Sequence, residues 1–67
     1  MKKKEYSLIG VDGNAYSVIG YVCNALNEVG LGDLTKTYMS EATSGNYDNL
    51  LVVSMKYIDE INKRERE

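Results

Sequence analysis

The chain has 67 residues, one cysteine and no histidine, with a formal net charge of -2. This length supports one domain, whose core supplies at most about 3–5 kcal/mol of net stability. A single cysteine excludes an intrachain disulfide, and the missing histidine removes the commonest general base and metal ligand.

The acidic balance disfavours a dedicated duplex-DNA binder. With disulfide and metal set aside, oligomerisation is the remaining support for so small a domain.

The chain begins with Lys2-Lys3-Lys4. The apolar run behind it ends at Asp12 and is too short for a secretory signal. The lysines read either as a solvated terminus or as an electrostatic lip for an anionic ligand. Residues 1–5 are expected to fray, as are residues 65–67.

Tyr6 to Val11 is apolar and β-branched enough to predict a strand, bounded by Asp12-Gly13. Asp-Gly is a turn signal, because glycine accepts φ > 0 without steric cost.

Helical periodicity starts at once and predicts a first helix from Asn14 to Val29, with Val18, Ile19, Val22, Ala25, Leu26 and Val29 on one face. Asp12 and Asn14 are its candidate N-caps, and Gly30 is its αL C-cap. Gly20 costs roughly 1 kcal/mol in mid-helix relative to alanine, which predicts a close approach by another backbone. Tyr16 and Tyr21 lie off the apolar stripe. Cys23 reads as a small buried hydrophobe, since no cation beside it would activate a thiolate.

Asp33 is expected to cap a second helix from Leu34 to Thr43, with Leu34, Tyr38 and Ala42 facing inward and Met39 at the margin. Gly45 would end it. Asn46 then caps a third helix from Tyr47 to Arg64, with Asp48 in its first turn. The inward face of that helix is Leu50, Leu51, Ser54, Tyr57, Ile58 and Ile61. Val52, Val53 and Met55 widen the apolar arc beyond the roughly 100° stripe a surface helix needs, which predicts burial against another subunit. Asp59 with Lys63 and Glu60 with Arg64 form i,i+4 pairs. The longest uninterrupted apolar run, Leu50 to Val53, is far short of the about 20 residues of a membrane span. The chain therefore reads as a soluble protein of a reducing cytosol.

The predicted fold is α+β and mostly helical, one strand followed by three helices (βααα). A lone strand cannot satisfy its own backbone groups, so it is expected to pair with the same strand of a second subunit in a homo-oligomer, a dimer or tetramer. The turn at Asp12-Gly13-Asn14-Ala15 leaves amides pointing outward at a positive helix end, which suits a phosphate or carboxylate. It could equally do no more than shape the chain reversal and cap the helix.

Ile9-Gly10-Val11-Asp12-Gly13-Asn14-Ala15-Tyr16 resembles a motif of small phage-encoded proteins, in which phenylalanine often stands at the position of Tyr16. The later stretch Ser44-Gly45-Asn46-Tyr47-Asp48-Asn49-Leu50-Leu51 resembles a second hallmark of the same group. Together they frame most of the chain. The chain resembles the phage sponge proteins, of the anti-CBASS and anti-Thoeris kind, that sequester nucleotide second messengers of bacterial immunity. That resemblance implies an oligomer in the cytoplasm of an infected bacterial host. It would bind a cyclic nucleotide or cyclic ADP-ribose-type signal between subunits without cleaving it. Phosphate contacts would fall on Gly13, Asn14 and Ala15, aided by Lys4. Base stacking would fall on Tyr16, Tyr21 or Tyr47, and Asp12 would orient the turn.

The competing expectation is a small inhibitor that blocks a host protein through its apolar helical surface. An enzyme is disfavoured, because neither histidine nor a clustered carboxylate set offers catalytic or metal-binding residues. No cofactor is expected.

Overall fold

The computed structural model describes residues 5–66. Three α-helices follow an irregular N-terminal segment: α1 (Ala15–Glu28), α2 (Thr35–Ala42) and α3 (Tyr47–Arg66), with a 3₁₀ turn (Gly32–Leu34) before α2.

The helix boundaries follow from their caps. The Asn14 side chain accepts from the Tyr16 amide at 2.8 Å and starts α1. At the other end Gly30 takes φ +82°. The Leu31 amide then donates to Leu26 C=O at 2.7 Å and the Gly30 amide to Asn27 C=O at 3.2 Å, the paired bonds of a Schellman motif. Asn46 starts α3, its side chain accepting from the Asn49 amide at 3.0 Å. That helix continues through Arg66, past the expected stop at Arg64 and into the stretch expected to fray.

Two expected caps are corrected. Asp33 lies inside the 3₁₀ turn, and no side chain caps α2. Gly45 does not adopt a positive φ. The end of α2 is closed instead by Asn49, whose Nδ2 donates to Glu41 C=O at 2.9 Å and lies 3.4 Å from Ala42 C=O. A Cβ at Gly45 would sit 3.0 Å from the Asn49 Cβ, so glycine here leaves room for that capping side chain.

Among the described residues there is no strand, and the expected strand Tyr6 to Val11 is overturned. The βααα reading and the pairing of that strand between subunits fall with it. The cause lies in how the backbone groups are satisfied. Asn62, buried on α3, presents its carboxamide to Tyr6: Oδ1 accepts from the Tyr6 N–H at 2.8 Å and Nδ2 donates to the Tyr6 C=O at 2.8 Å. One side chain thus supplies the donor and acceptor that a neighbouring strand would have supplied. The next amide, Ser7, donates to the Tyr21 hydroxyl at 2.9 Å. At Leu8 the chain turns, with the Val11 amide donating to Leu8 C=O at 3.1 Å. Gly10, at φ +88°, holds the third position of that turn, where a type II geometry requires positive φ.

The core joins all of these parts. Val18, Val22, Ala25 and Leu26 of α1 meet Tyr38 and Ala42 of α2 and Leu50, Ile58 and Ile61 of α3, with the Tyr6 ring against them. Each fully buried aliphatic side chain contributes about 1.5–3 kcal/mol. Leu34 is more exposed than expected, because the 3₁₀ turn swings it to the rim. The core holds one polar pair, Tyr38 Oη and Ser54 Oγ, 2.6 Å apart and both fully buried. Tyr38 also meets the Tyr57 ring edge-on with centroids 5.1 Å apart, and Tyr57 donates to Glu41 at 2.9 Å. Nothing lies within 4 Å of a Cβ built at Gly20, so among the described residues none makes the close approach expected there. Cys23 is half-buried, and burial raises its thiol pKa, which keeps it an unreactive hydrophobe. On α3, Lys63 lies 4.0 Å from Glu60, an i,i+3 contact in place of the expected pairing with Asp59.

Two predictions follow from this packing. Asn62→Ala leaves the Tyr6 N–H and C=O unpaired in a buried place, at about 1–3 kcal/mol per group. The loss in a urea titration should be about 2–4 kcal/mol, with Asn62→Asp comparably damaging at neutral pH because a carboxylate cannot donate to the Tyr6 carbonyl. A loss well below about 1 kcal/mol would contradict the role given to Asn62. The second concerns alkali. Desolvation raises the Tyr38 phenol above its ordinary value, opposed by the hydrogen bond with Ser54 and aided by Cys23. Burial and the Glu41 carboxylate raise Tyr57 in the same sense. A folded-state pKa raised above the unfolded value of about 10 gives stability that is present in full below that value. Stability is lost as pH climbs through the raised folded values. The melting temperature should therefore fall above about pH 10, together with phenolate formation followed by ultraviolet absorbance. Full phenolate formation in a chain that stays folded would contradict it.

Candidate functional site

The candidate site forms where the two sequence motifs meet. The Tyr47 hydroxyl, on the first residue of α3, donates to the Gly13 carbonyl in the turn before α1. At the opposite end of the bundle Tyr6 links the last turn of α1 to late α3, its hydroxyl donating to Glu28 at 2.7 Å and its backbone held by Asn62. Helices α1 and α3 therefore run in the same direction, and both N-termini point to one end. Each carries roughly half a positive charge there from its unpaired amides.

Between them lies a shallow cavity of about 260 Å³, with Ala15 and Ile19 on one wall, Thr43, Gly45 and Asn46 on another, and Tyr47 at the mouth. The turn is held by its own side chains: the Asp12 carboxylate accepts from the Asn14 amide at 3.3 Å. The Tyr16 amide is taken by the Asn14 side chain and the Val18 amide by the Asn14 carbonyl. The amides of Gly13 and Ala15 have no partner among the described residues.

The expected site residues are therefore partly assembled. Ala15 and Tyr47 line the cavity, and Gly13 adjoins it through the bond from its carbonyl to Tyr47. Asn14 shapes the turn, its backbone amide donating to Asp12 and its Oδ1 accepting from Tyr16, which leaves its side-chain Nδ2 as the donor it could offer to a phosphate. Asp12 accepts from the Asn14 amide within the turn. Tyr16 stands 86% exposed on the first turn of α1 and is not packed against the core formed by the described residues. Tyr21 belongs elsewhere: its hydroxyl accepts from Ser7 and its ring meets Tyr6 edge-on with centroids 6.4 Å apart. It holds the N-terminal segment and is not offered to a ligand. Lys4 lies outside the described residues. Gly13 itself has no positive φ, and a Cβ there would rest 3.6 Å from Tyr47 Oη, an ordinary contact. The glycine at the positive-φ turn is Gly10, three residues earlier.

The sequence reading did not find the Tyr47–Gly13 bond, which joins residues 34 apart. The carboxylates Asp12 and Asp48 stand near these helix starts, and none of the described lysines or arginines lines this cavity, Lys56 and Arg64 bordering a different one beside Ile61. The attraction for an anion at this end thus rests on helix ends and backbone amides.

No protein-family model matches this chain, and comparison with curated proteins and with solved structures finds no match.

The geometry makes a graded prediction at the junction. Gly13→Ala should change stability by less than about 0.5 kcal/mol, as for a surface change away from special features. Tyr47→Phe removes one exposed hydrogen bond and should cost about 0.5–1.5 kcal/mol. Chemical denaturation of the two variants checks the order, and a glycine variant that loses more than the tyrosine variant would contradict this description of the turn.

Proposed function

We propose that this protein is a non-catalytic binding protein that sequesters a phosphate-bearing nucleotide signal, of the cyclic nucleotide or cyclic ADP-ribose kind. The reading rests on the sequence resemblance to phage sponge proteins and on one geometric observation: the Tyr47 hydroxyl ties the Gly13 turn to α3, so two helix N-termini meet at one cavity. A phosphate there would draw on the free amides of Gly13 and Ala15 and on both helix ends. The rings of Tyr16 and Tyr47, both exposed, would stack on a base, at about 1–3 kcal/mol per base. A cavity of about 260 Å³ falls short of the roughly 300–1,000 Å³ of small-molecule sites. On this reading one protomer holds part of the ligand and a second chain completes the enclosure. The setting would be the cytoplasm of a bacterial host infected by a phage.

A second reading has its own observation. Ile9, Val52 and Met55 are apolar and exposed, which suits a small protein that blocks a host protein through its surface.

The first reading is tested by mixing the purified protein with cyclic di- and trinucleotides and cyclic ADP-ribose isomers. A ligand that binds only the native state raises the melting midpoint by mass action. The bound molecule should come back chemically intact after denaturation. Tyr47→Ala combined with Gly13→Val should weaken its binding at least tenfold, about 1.4 kcal/mol, with the helical circular dichroism preserved. A panel in which no member shifts the midpoint overturns the reading.

A further inference from the structure

We propose that the face formed by Leu8, Ile9, Leu51, Val52 and Met55 binds a second copy of this chain, with α3 antiparallel to its counterpart across a two-fold axis. The inference uses none of the residues of the ligand site: the ligand panel tests that reading, and substitutions of its own apolar and charged residues test this face.

Three observations carry it. The first is exposure. Ile9 is 93% exposed at the tip of its turn, and Val52 and Met55 are 65% and 61% exposed on α3. Isolated exposed apolar residues are ordinary, but a contiguous set marks an interaction surface. The second is shape. The Ile9 knob lies on the edge of an open groove of about 470 Å³, walled mostly by Leu8, Leu51, Met55 and Ile58, with Asp59 on its polar side. A projection next to a hollow on one face is self-complementary, because a two-fold axis seats the knob of each copy in the groove of the other.

The third observation is charge order. Asp48, Val52, Met55, Asp59 and Lys63 follow each other at spacings of three or four residues, so they share one edge of α3. That edge starts with Asp48 and ends with Lys63, with Asp59 one turn before the lysine. The antiparallel register sets Asp59 opposite the Val52 position of the second copy and not opposite another carboxylate. With the two-fold axis beside Met55, antiparallel packing sets Asp48 opposite the partner's Lys63, and the same pair forms twice. Parallel packing would set Asp48 against Asp48 and Lys63 against Lys63. Only the antiparallel arrangement is electrostatically complementary. The Tyr6 amide and carbonyl and the Ser7 amide are already taken by Asn62 and Tyr21, so the proposed contact is one between side chains. The extent of an interface does not set its affinity, so the association is followed over a wide concentration range.

The test is sedimentation velocity on the full chain from about one to several hundred micromolar. The wild type should pass reversibly from monomer to dimer. Val52→Glu with Met55→Glu should raise the dimer dissociation constant at least tenfold, and Ile9→Ser, which lies outside the helices, should weaken the dimer without changing the circular dichroism. Orientation is tested by charge reversal. Asp48→Lys and Lys63→Asp should each impair self-association, and an equimolar mixture of the two variants should form a heterodimer, because mixing restores both pairs. A monomer across the whole range overturns the inference and leaves the face to another protein. A dimer indifferent to the apolar substitutions, or a mixture no tighter than the separate variants, overturns it equally.

Discussion

Tyr6 brings a buried N–H and C=O into the bundle with no strand beside them, and Asn62 answers both with one carboxamide. Much of the structure depends on that exchange. A buried amide without a partner costs as much as a sizeable share of this domain's stability. Met, Leu or Ala at position 62 would pack but could not satisfy the backbone. With Tyr6 fixed, its ring enters the core, its hydroxyl reaches Glu28, and the chain is aimed at Tyr21 and the Gly10 turn. The same clamp ties the last turn of α1 to late α3, so the two helices run side by side. Their N-termini then coincide at the far end, where Tyr47 closes the junction onto Gly13. One end of the molecule is thus held by an amide and the other by a phenol.

The helices were legible in the sequence because their signals are local. Asn14 and Asn46 as caps, Gly30 as the αL stop, and the inward stripe of α1 and α3 all depend on residues a few positions apart. The strand was misread for the opposite reason. Apolar, β-branched residues state a wish for burial, and a neighbouring strand is only one way to satisfy the backbone that comes with it. The satisfying group lay 56 residues away in Asn62, set among charged residues late on α3. Asn49 was missed in the same way: it looks like an ordinary first-turn residue until the α2 end is placed above it. Gly45 was recognised as a stop but for the wrong reason, since it gives space rather than a left-handed φ. At the site, the turn and its caps were legible. The partition of the tyrosines was not: Tyr47 bonds Gly13, Tyr21 holds Ser7, and Tyr16 alone stands clear. Nothing local distinguishes those three fates.

The surface divides along the same lines. At the helix N-termini, polar turns, free amides and aromatic rings suit a small anionic ligand. Around Ile9, Val52 and Met55, apolar side chains beside an open groove suit a macromolecular contact. The expected widening of the apolar arc on α3 is present in the exposure of Val52 and Met55, but no strand accompanies it. A small domain with an uncovered apolar face gains most by covering it, since the burial adds to a core of modest size.

The dependence on Asn62 is tested most directly by amide hydrogen exchange, read by nuclear magnetic resonance at single residues. The account predicts slow exchange at Tyr6, and a through-space contact between the Asn62 side-chain amide protons and the Tyr6 backbone. Residues 6–11 should lack the chemical shifts and interstrand contacts of a β-ladder. Fast exchange at Tyr6 with that contact absent, or an alternating pattern of protection from Tyr6 to Val11 with cross-strand contacts, would contradict it.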